Sequence, residues 1–444
     1  MPNRAATPPH CAKQNRMIEP RPFLTQLFNV AVAAADPAKV LHHHLPEPPA
    51  GDTIVIGFGK AAASMAAALE NAIDAQWPAA ARARVRGVVV ARYGHVVPTR
   101  TIRVLEASHP VPDAASLAGA RAMLDAVKGL NQNDLVICLA SGGGSAVVSL
   151  PVEGVAAEEK RALHVALLNA GANIEEMNCV RKHVSAIKGG RLAAAAAPAR
   201  ILTLAISDVP GDDPAVIASG PTVADDTTLA NARAILAKYK ITPAPSLINA
   251  LNDAANETLK TGDARLQRAT CKVVIAPRLS LLAAAALARE HGITPLVLGD
   301  TIEGEAREVA KMHAAIAMSC KQHGDPLGAP CVILSGGETT VTVRGSGKGG
   351  RNQEFALGLA LALKGATGIH ALAADTDGID GVCDAAGAFV TPNTLKRAEV
   401  KGLNAAKQQE NNDCYPLFDA LGDLHRIGPT LTNVNDFRAM LIEA

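Results

Sequence analysis

The chain has 444 residues, 48% of them hydrophobic but only 2% aromatic, and a formal net charge of +1. That length predicts two or three domains, and a core of Ala, Val, Leu and Ile suits a parallel sheet with alanine-rich helices on both faces. Near-neutral charge without a basic block among aromatics argues against a nucleic-acid partner, and no apolar run reaches the roughly 18–20 residues of a membrane span. Eight scattered cysteines with no C-x-x-C pair fit a reduced, cytoplasmic setting without disulfides or structural zinc.

Residues 1–18 contain prolines, lack acids and have no apolar segment, so they read as a disordered extension rather than a signal peptide. Helical spacing follows from Phe23 to Ala35, ending before Pro37. His42-His43-His44 precedes the proline-rich run Leu45–Pro49; three successive histidines cannot face one way on a helix, and a surface linker is the reading. Thr53–Ile56 is a buried-strand run that turns through Gly57-Phe58-Gly59-Lys60 into a helix. Gly57, Gly59 and Ala62 have dinucleotide-fingerprint spacing, but the next strand, Gly87–Ala91, ends in Arg92-Tyr93-Gly94 with no acid for a ribose. NAD is therefore disfavoured and NADP stays open, whereas Lys60 in the first helical turn suits a phosphate being transferred.

Strands at Ile102–Glu106 and Leu135–Leu139 flank a helix at Ala114–Lys128, and the second opens into Ser141-Gly142-Gly143-Gly144-Ser145. A glycine turn at the end of a parallel strand is where open α/β sheets place ligands, although a plain tight turn reads the same. A long helix over Glu158–Cys179 is expected to continue so that Arg181, Ser185 and Lys188 share a face, with Arg191 after a Gly-Gly break; the stripe is a solvated face or an anion site. The apolar strand Ile201–Ile206 ends in Ser207-Asp208-Val209-Pro210-Gly211-Asp212-Asp213, whose carboxylates suit Mg²⁺, a general base, or Asx-turn chemistry.

The polar, helical stretch Thr242–Arg268 is expected to lead to a domain boundary. After it, Lys272–Ala276, Leu279–His291, Thr294–Leu298 and Glu303–His323 alternate as strand, helix, strand, helix and restart a sheet. Two β-branched runs then flank Ser335-Gly336-Gly337-Glu338, read as a hairpin. The loop Gly345–Gly350 carries Lys348 and delivers Arg351 and Asn352 to a helix ending near Lys364. Glycines and a helix N-terminus make an anion cradle, though this is not a Walker A loop: Gly349 follows Lys348 where Ser or Thr is required. Strand His370–Ala374 ends in Asp375-Thr376-Asp377-Gly378-Ile379-Asp380, a cation-loop pattern, and a polar loop through Asp436 is expected to enter a final helix.

Two cation-bearing glycine loops, a Ser-Gly₃-Ser turn and two Asp-rich strand ends are the parts of metal-assisted phosphoryl transfer from a nucleotide to a small acid. They fall in both halves of the chain, which predicts a site in the cleft between domains.

From about residue 23 onward, these motifs resemble the glycerate 2-kinase family, whose C-terminal half is called the MOFRL domain and some of whose members carry the label hydroxypyruvate reductase. The resemblance rests on Gly57–Ala61, Ser141–Ser145, Arg181–Ser185 with Lys188–Arg191, Ser207–Val209, Gly211–Asp213, Ser219–Pro221, Leu334–Thr340, Gly349–Glu354 and Asp375–Gly381. It implies an α/β fold of two α/β/α three-layer domains, the first Rossmann-like; with the boundary placed near the end of Thr242–Arg268, they divide as 19–265 and 266–444. It also implies conversion of ATP and D-glycerate to ADP and 2-phosphoglycerate with Mg²⁺.

The family's active-site Lys and Arg fall on Lys60 and Arg351, where the charge argument also puts them. We expect Asp208 as a third catalytic group and Asp375, Asp377 and Asp380 as metal ligands. Gly57, Gly59, Ser141–Ser145, Arg181, Lys188, Arg191, Ser335–Glu338, Lys348 and Asn352 are expected on nucleotide or substrate. Two departures stand out: Ala276-Pro277-Arg278 replaces a Ser-Asn-type turn, and Leu431 stands where many relatives carry Gly. The alternatives are an NADPH-linked hydroxypyruvate reductase and a non-catalytic phosphometabolite sensor. No nucleic-acid or membrane partner is expected, and a homo-oligomer is left open.

Overall fold

The computed structural model describes residues 18–444, so the extension expected over 1–18 lies, but for Ile18, outside the described residues. The first sheet contains β1 (Thr53–Phe58), β2 (Val85–Arg92), β3 (Ile102–Ala107), β4 (Leu135–Ala140), β5 (Arg200–Ile206) and β6 (Ala269–Ile275). All six are parallel, in the order β3-β2-β1-β4-β5-β6. Every residue of β1 and β4 is buried, as in strands covered on both faces. The covering helix Ala62–Gln76 buries Ala62, Ala63, Ala66 and Leu69, small side chains that let it lie close to the sheet. Strand order reverses between β1 and β4, which opens a crevice at their C-terminal ends.

Beside this sheet, helices Ala157–Asn169, Ile174–His183, Leu229–Lys238 and Pro245–Asn252 share their own apolar core. The single helix expected over Glu158–Cys179 is two, broken at Gly171 (φ +77°). The second of them ends at His183, so Ser185 and Lys188 do not continue its face. Of Thr242–Arg268 only Pro245–Asn252 is α-helical, because Gly262 and several Asp-capped turns interrupt the rest.

The second sheet is mixed. It contains β7 (Thr294–Gly299), β9 (Cys331–Gly337), β11 (Ile369–Asp375), β12 (Gly387–Val390), β13 (Leu424–His425) and β14 (Asp436–Ile442). Its order is β13-β12-β11-β14-β9-β7, with only β7 and β9 parallel. The expected hairpin at Ser335–Glu338 is absent: β10 (Thr339–Thr340) instead pairs in parallel with β8 (Gly304–Glu305). The final helix is also a strand. Asp436–Ile442 is buried throughout and paired on both sides, so its apolar run reflects a central strand rather than a helical face.

The expected division at 265/266 falls one strand early. Strand β6 pairs with β5 and completes the first sheet, and the crossing to the second domain comes at Ala276–Pro277, where helix Pro277–Glu290 begins directly. At the other end, helix Pro20–Ala34 packs its buried Phe23, Leu24, Leu27 and Phe28 on the second sheet, not the first. Burial of each such side chain stabilises by about 1.5–3 kcal/mol. Both units are α/β layers, as expected, and no described helix is long and apolar enough to cross a membrane.

Candidate active site

Three loops leave the C-terminal ends of β1, β4 and β5 side by side. Gly59 has φ +116°, and a Cβ there would overlap Ser141. The two turns therefore nest: the Lys60 amide donates to the Gly142 carbonyl at 2.8 Å and the Ala61 amide to Ser141 Oγ at 3.1 Å. With its backbone fixed, Lys60 reaches across the cleft and donates from Nζ to Asp377 Oδ2 at 2.7 Å.

The second domain meets it with Arg351, the first residue of helix Arg351–Leu363. The guanidinium touches Asp436 Oδ1 at 2.7 Å, Asp375 Oδ2 at 2.8 Å and Glu338 Oε1 at 2.6 Å. The Asp377 amide donates to Asp375 Oδ1 at 3.1 Å, so the two cations are joined through adjacent carboxylates. Burial disfavours charge on both cations, yet Asp377 and Asp375 hold Lys60 above its usual range, and Asp436, Asp375 and Glu338 do the same for Arg351. Burial and the neighbouring Asp377 push Asp375 well up, against the pull of Arg351 and Lys60. Asp377 itself stays low because Lys60 outweighs its burial.

Asp208, beyond β5, faces this cluster. A Cβ on Gly142 would run into its carboxylate, and Asn433 Nδ2 donates to its Oδ2 at 3.2 Å. Burial, then repulsion from Glu338, raises its carboxyl to about 6 against the pull of Lys60. Asn435 binds the Asp208 carbonyl and Ser64 Oγ donates to the Leu431 carbonyl at 2.7 Å, so the loop before β14 seals the junction. Leu431 has φ +63°, a left-handed backbone that glycine adopts without strain, which accounts for the glycine expected there.

Residues 23–252 match a family described as Domain of unknown function (DUF4147), and residues 331–436 match the MOFRL family. A Thermotoga maritima protein named D-glycerate 2-kinase is 38% identical over 94% of this chain and 97% of its own length. A solved structure of a glycerate kinase from the same organism matches with a TM-score of 0.85 at 38% identity, covering 95% of this chain and 99% of that one. The chain belongs to the glycerate 2-kinase family. Names within that family vary: an Agrobacterium vitis protein, 52% identical over 96% of this chain and 95% of its own length, is provisionally named a hydroxypyruvate reductase.

Within this glycerate 2-kinase homologue, the cleft gathers Lys60, Gly59, Ser141, Gly142, Asp208, Glu338, Arg351, Asn352, Asp375 and Asp377. Gly57 lies inside β1, where a Cβ would meet Leu139 and Val89, so it serves strand packing. Ser335 to Gly337 are the buried end of β9 rather than a phosphate turn, with Ser335 Oγ bonded to His313 Nε2 at 2.9 Å. The loop bearing Lys348 is tied by its amides to Asn411 and Asp413, and Lys348 Nζ rests 3.8 Å from the Tyr415 ring centroid. Arg191 donates to the carbonyls of Lys182 and Asn256 and holds the first domain together. Gly143, Ser145, Arg181 and Lys188 border a neighbouring cavity, while Gly144 packs against Ala218 and Phe58.

The expected metal set also changes. Asp380 is fully buried and accepts the Asn352 and Gln353 amides at 3.1 and 2.9 Å, so it caps the helix that carries Arg351. With Asp377 on Lys60 and Asp375 on Arg351, the three do not converge, and no group of three metal-binding side chains occurs among the described residues. Asp380→Asn is expected to cost about 1–2 kcal/mol through the weakened cap. When Mg²⁺ is varied, the rate of the variant should follow that of the parent; a tenfold rise in the Mg²⁺ concentration for half-maximal rate would restore Asp380 as a ligand.

Mg²⁺ nevertheless suits the site. Asp208, Glu338, Asp375, Asp377 and Asp436 outnumber Lys60, Arg351 and Arg438, so hard oxygen donors exceed their cations. Mg²⁺ commonly rests on one or two carboxylates plus substrate phosphates. Glu338, half-exposed with one oxygen unshared by Arg351, would hold it.

The residues missed in the sequence are Asp436, Arg438, Asn433 and Asn435. Fully buried Asp436 accepts Asn352 Nδ2 at 2.7 Å besides Arg351, and its other oxygen takes Arg438. Their available signal was the density of polar residues over 432–436 directly before an apolar run.

Proposed function

We propose that the protein transfers the terminal phosphoryl group of ATP to the 2-hydroxyl of D-glycerate, giving ADP and 2-phosphoglycerate. The observation that carries this reading is the meeting of Lys60 and Arg351, one from each domain, across Asp377 and Asp375 at the switch point of the first sheet. Phosphoryl transfer passes through a state with charge on three equatorial oxygens, and fixed cations on both sides stabilise it without reorganising. Lys60 supplies one point charge from the first domain; Arg351 supplies a planar donor set held in place by Asp436. Glu338 would hold Mg²⁺, whose charge would offset that of the phosphates. Asp208 takes up the proton of the attacking hydroxyl, work for which a carboxyl raised to about 6 is suited.

A pH dependence follows. Asp208 is active as the carboxylate, and its proton leaves at about 6 rather than in the ordinary aspartate range. The kcat/KM for D-glycerate should therefore fall as pH drops through about 6. Asp208→Asn should lower kcat/KM about 10²-fold and abolish that acid limb. An unchanged limb in the variant assigns it to another group.

The reductase name of one relative gives a second reading, which the glycine turn disfavours. In a dinucleotide site, amides at this turn and at the helix start face a pyrophosphate. Here the Lys60 and Ala61 amides are taken by Gly142 and Ser141, and β2 ends at Arg92 without an acid. Phosphorus NMR of the product from ATP and D-glycerate, beside NADPH oxidation with hydroxypyruvate, tests the proposal. A 2-phosphate signal without NADPH turnover supports it; a 3-phosphate signal or NADPH turnover alone overturns it.

A further inference from the structure

Next to the switch point, a cavity of about 530 Å³ opens between the first sheet and the helical pack beside it. Gly143 and His109 form its edge towards the site: a Cβ on Gly143 would lie 3.0 Å from the His109 ring and 3.3 Å from Lys60 Cγ. Its basic wall carries Lys160, Arg181 and Lys188. Leu117, Leu163, Leu167 and Val180 contribute apolar surface.

The basic wall lacks counter-charges. Arg181 contacts only the His164 ring nitrogens, at 2.7–3.2 Å, and Asn178 Oδ1 at 3.5 Å. Lys160 donates to the Leu150 carbonyl at 3.4 Å, and fully buried Lys188 donates to the carbonyls of Ser145 and Ala218. Among the described residues, no carboxylate forms an ion pair with any of the three. The acids lining the cavity are Glu158, in the first turn of its helix, and Asp113, which caps helix Ala114–Ala126 and accepts Tyr93. Clustered cations that are wholly or partly buried with no acid paired to them are costly unless an anion joins them. Burial, then mutual repulsion with Arg181 and Arg191, lowers Lys160 to about 7; burial lowers Arg181 to about 10.

We infer that this cavity is the site of the donor nucleotide, with the polyphosphate along Lys160, Arg181 and Lys188 and the base against the apolar wall. The inference rests on the kinase reading above and assigns one of its two substrates to a place. The volume lies within the range of about 300–1,000 Å³ usual for small-molecule sites, whereas a three-carbon acid would leave most of it empty. The mouth at Gly143 directs the far end of the phosphate chain towards Lys60. Three basic side chains with no carboxylate paired to them also match the charge of a triphosphate better than that of a single carboxylate.

The test uses the full-length protein, mant-ADP fluorescence, and separate KM values for ATP and D-glycerate. Arg181→Gln and Lys160→Met should each weaken mant-ADP binding at least tenfold and raise the KM for ATP similarly, with the KM for D-glycerate within twofold. Arg181→Lys, which keeps a charge, should recover part of the affinity, and thermal melts identify any variant that fails to fold. Parental mant-ADP affinity in both folded variants overturns the assignment while leaving the kinase reading intact, as does a selective rise in the KM for D-glycerate. If the parent neither binds mant-ADP nor releases ADP with D-glycerate, the kinase reading itself fails.

Discussion

Alanine in place of Lys60 is expected to lower kcat by about 10³-fold, the scale on which a positioned donor or cation to the transferring group contributes. Its ammonium stands between the nested turns of the first domain and Asp377 of the second. A purely structural role for this ion pair makes a different prediction. Asp377→Asn removes the pair but leaves the ammonium, and should reduce kcat far less than Lys60→Ala. Equal losses in the two variants would show that Lys60 only holds the domains together. The stability cost of Lys60→Ala is expected at about 1–3 kcal/mol, because buried Asp377 loses its cation but the partly exposed Lys60 position lets water take its place. Steady-state rates and urea unfolding check both parts.

Replacing Arg351 by alanine should combine a similar loss of kcat with greater destabilisation, about 3–5 kcal/mol. The guanidinium compensates Asp436, Asp375 and Glu338, and Asp436 is fully buried. Without it, Asp436 retains Arg438 and Asn352, while Asp375 is left with the Asp377 amide. Arg351→Lys should fold better than the alanine variant yet remain poorly active, since one ammonium cannot span three carboxylates. Full activity in Arg351→Lys would show that charge alone, not the planar fork, matters at this position.

Much of the first domain was legible because its signals are local. Thr53–Lys60 carries strand, turn and helix start in consecutive residues, and so does Leu135–Ser145. Lys60 and Arg351 stood out because each is a cation beside a glycine turn and a helix start. What the sequence concealed was long-range pairing. Strand β6 looks like a fresh start after a polar stretch, and only the exposed edge of β5 explains its place. Strand β14 lies between β9 and β11, so its identity depends on partners distant along the chain. Asp436 owes its role to that position: as the first residue of a central strand, it sits beneath Arg351. The Asp375–Asp380 spacing showed acids at a strand end but not that Asp380 turns away to cap a helix.

Because helix Pro20–Ala34 belongs to the second domain, the polypeptide crosses between the domains twice, near Asp36 and again at Ala276–Pro277. The turn Pro37–Val40 lies against β6, so the two crossings run side by side. The two crossings thus form a double connection on one side of the junction, with Lys60 and Arg351 on the faces it joins. Removing the first 36 residues would cut one crossing and strip the apolar cover from β11 and β14 at the same time.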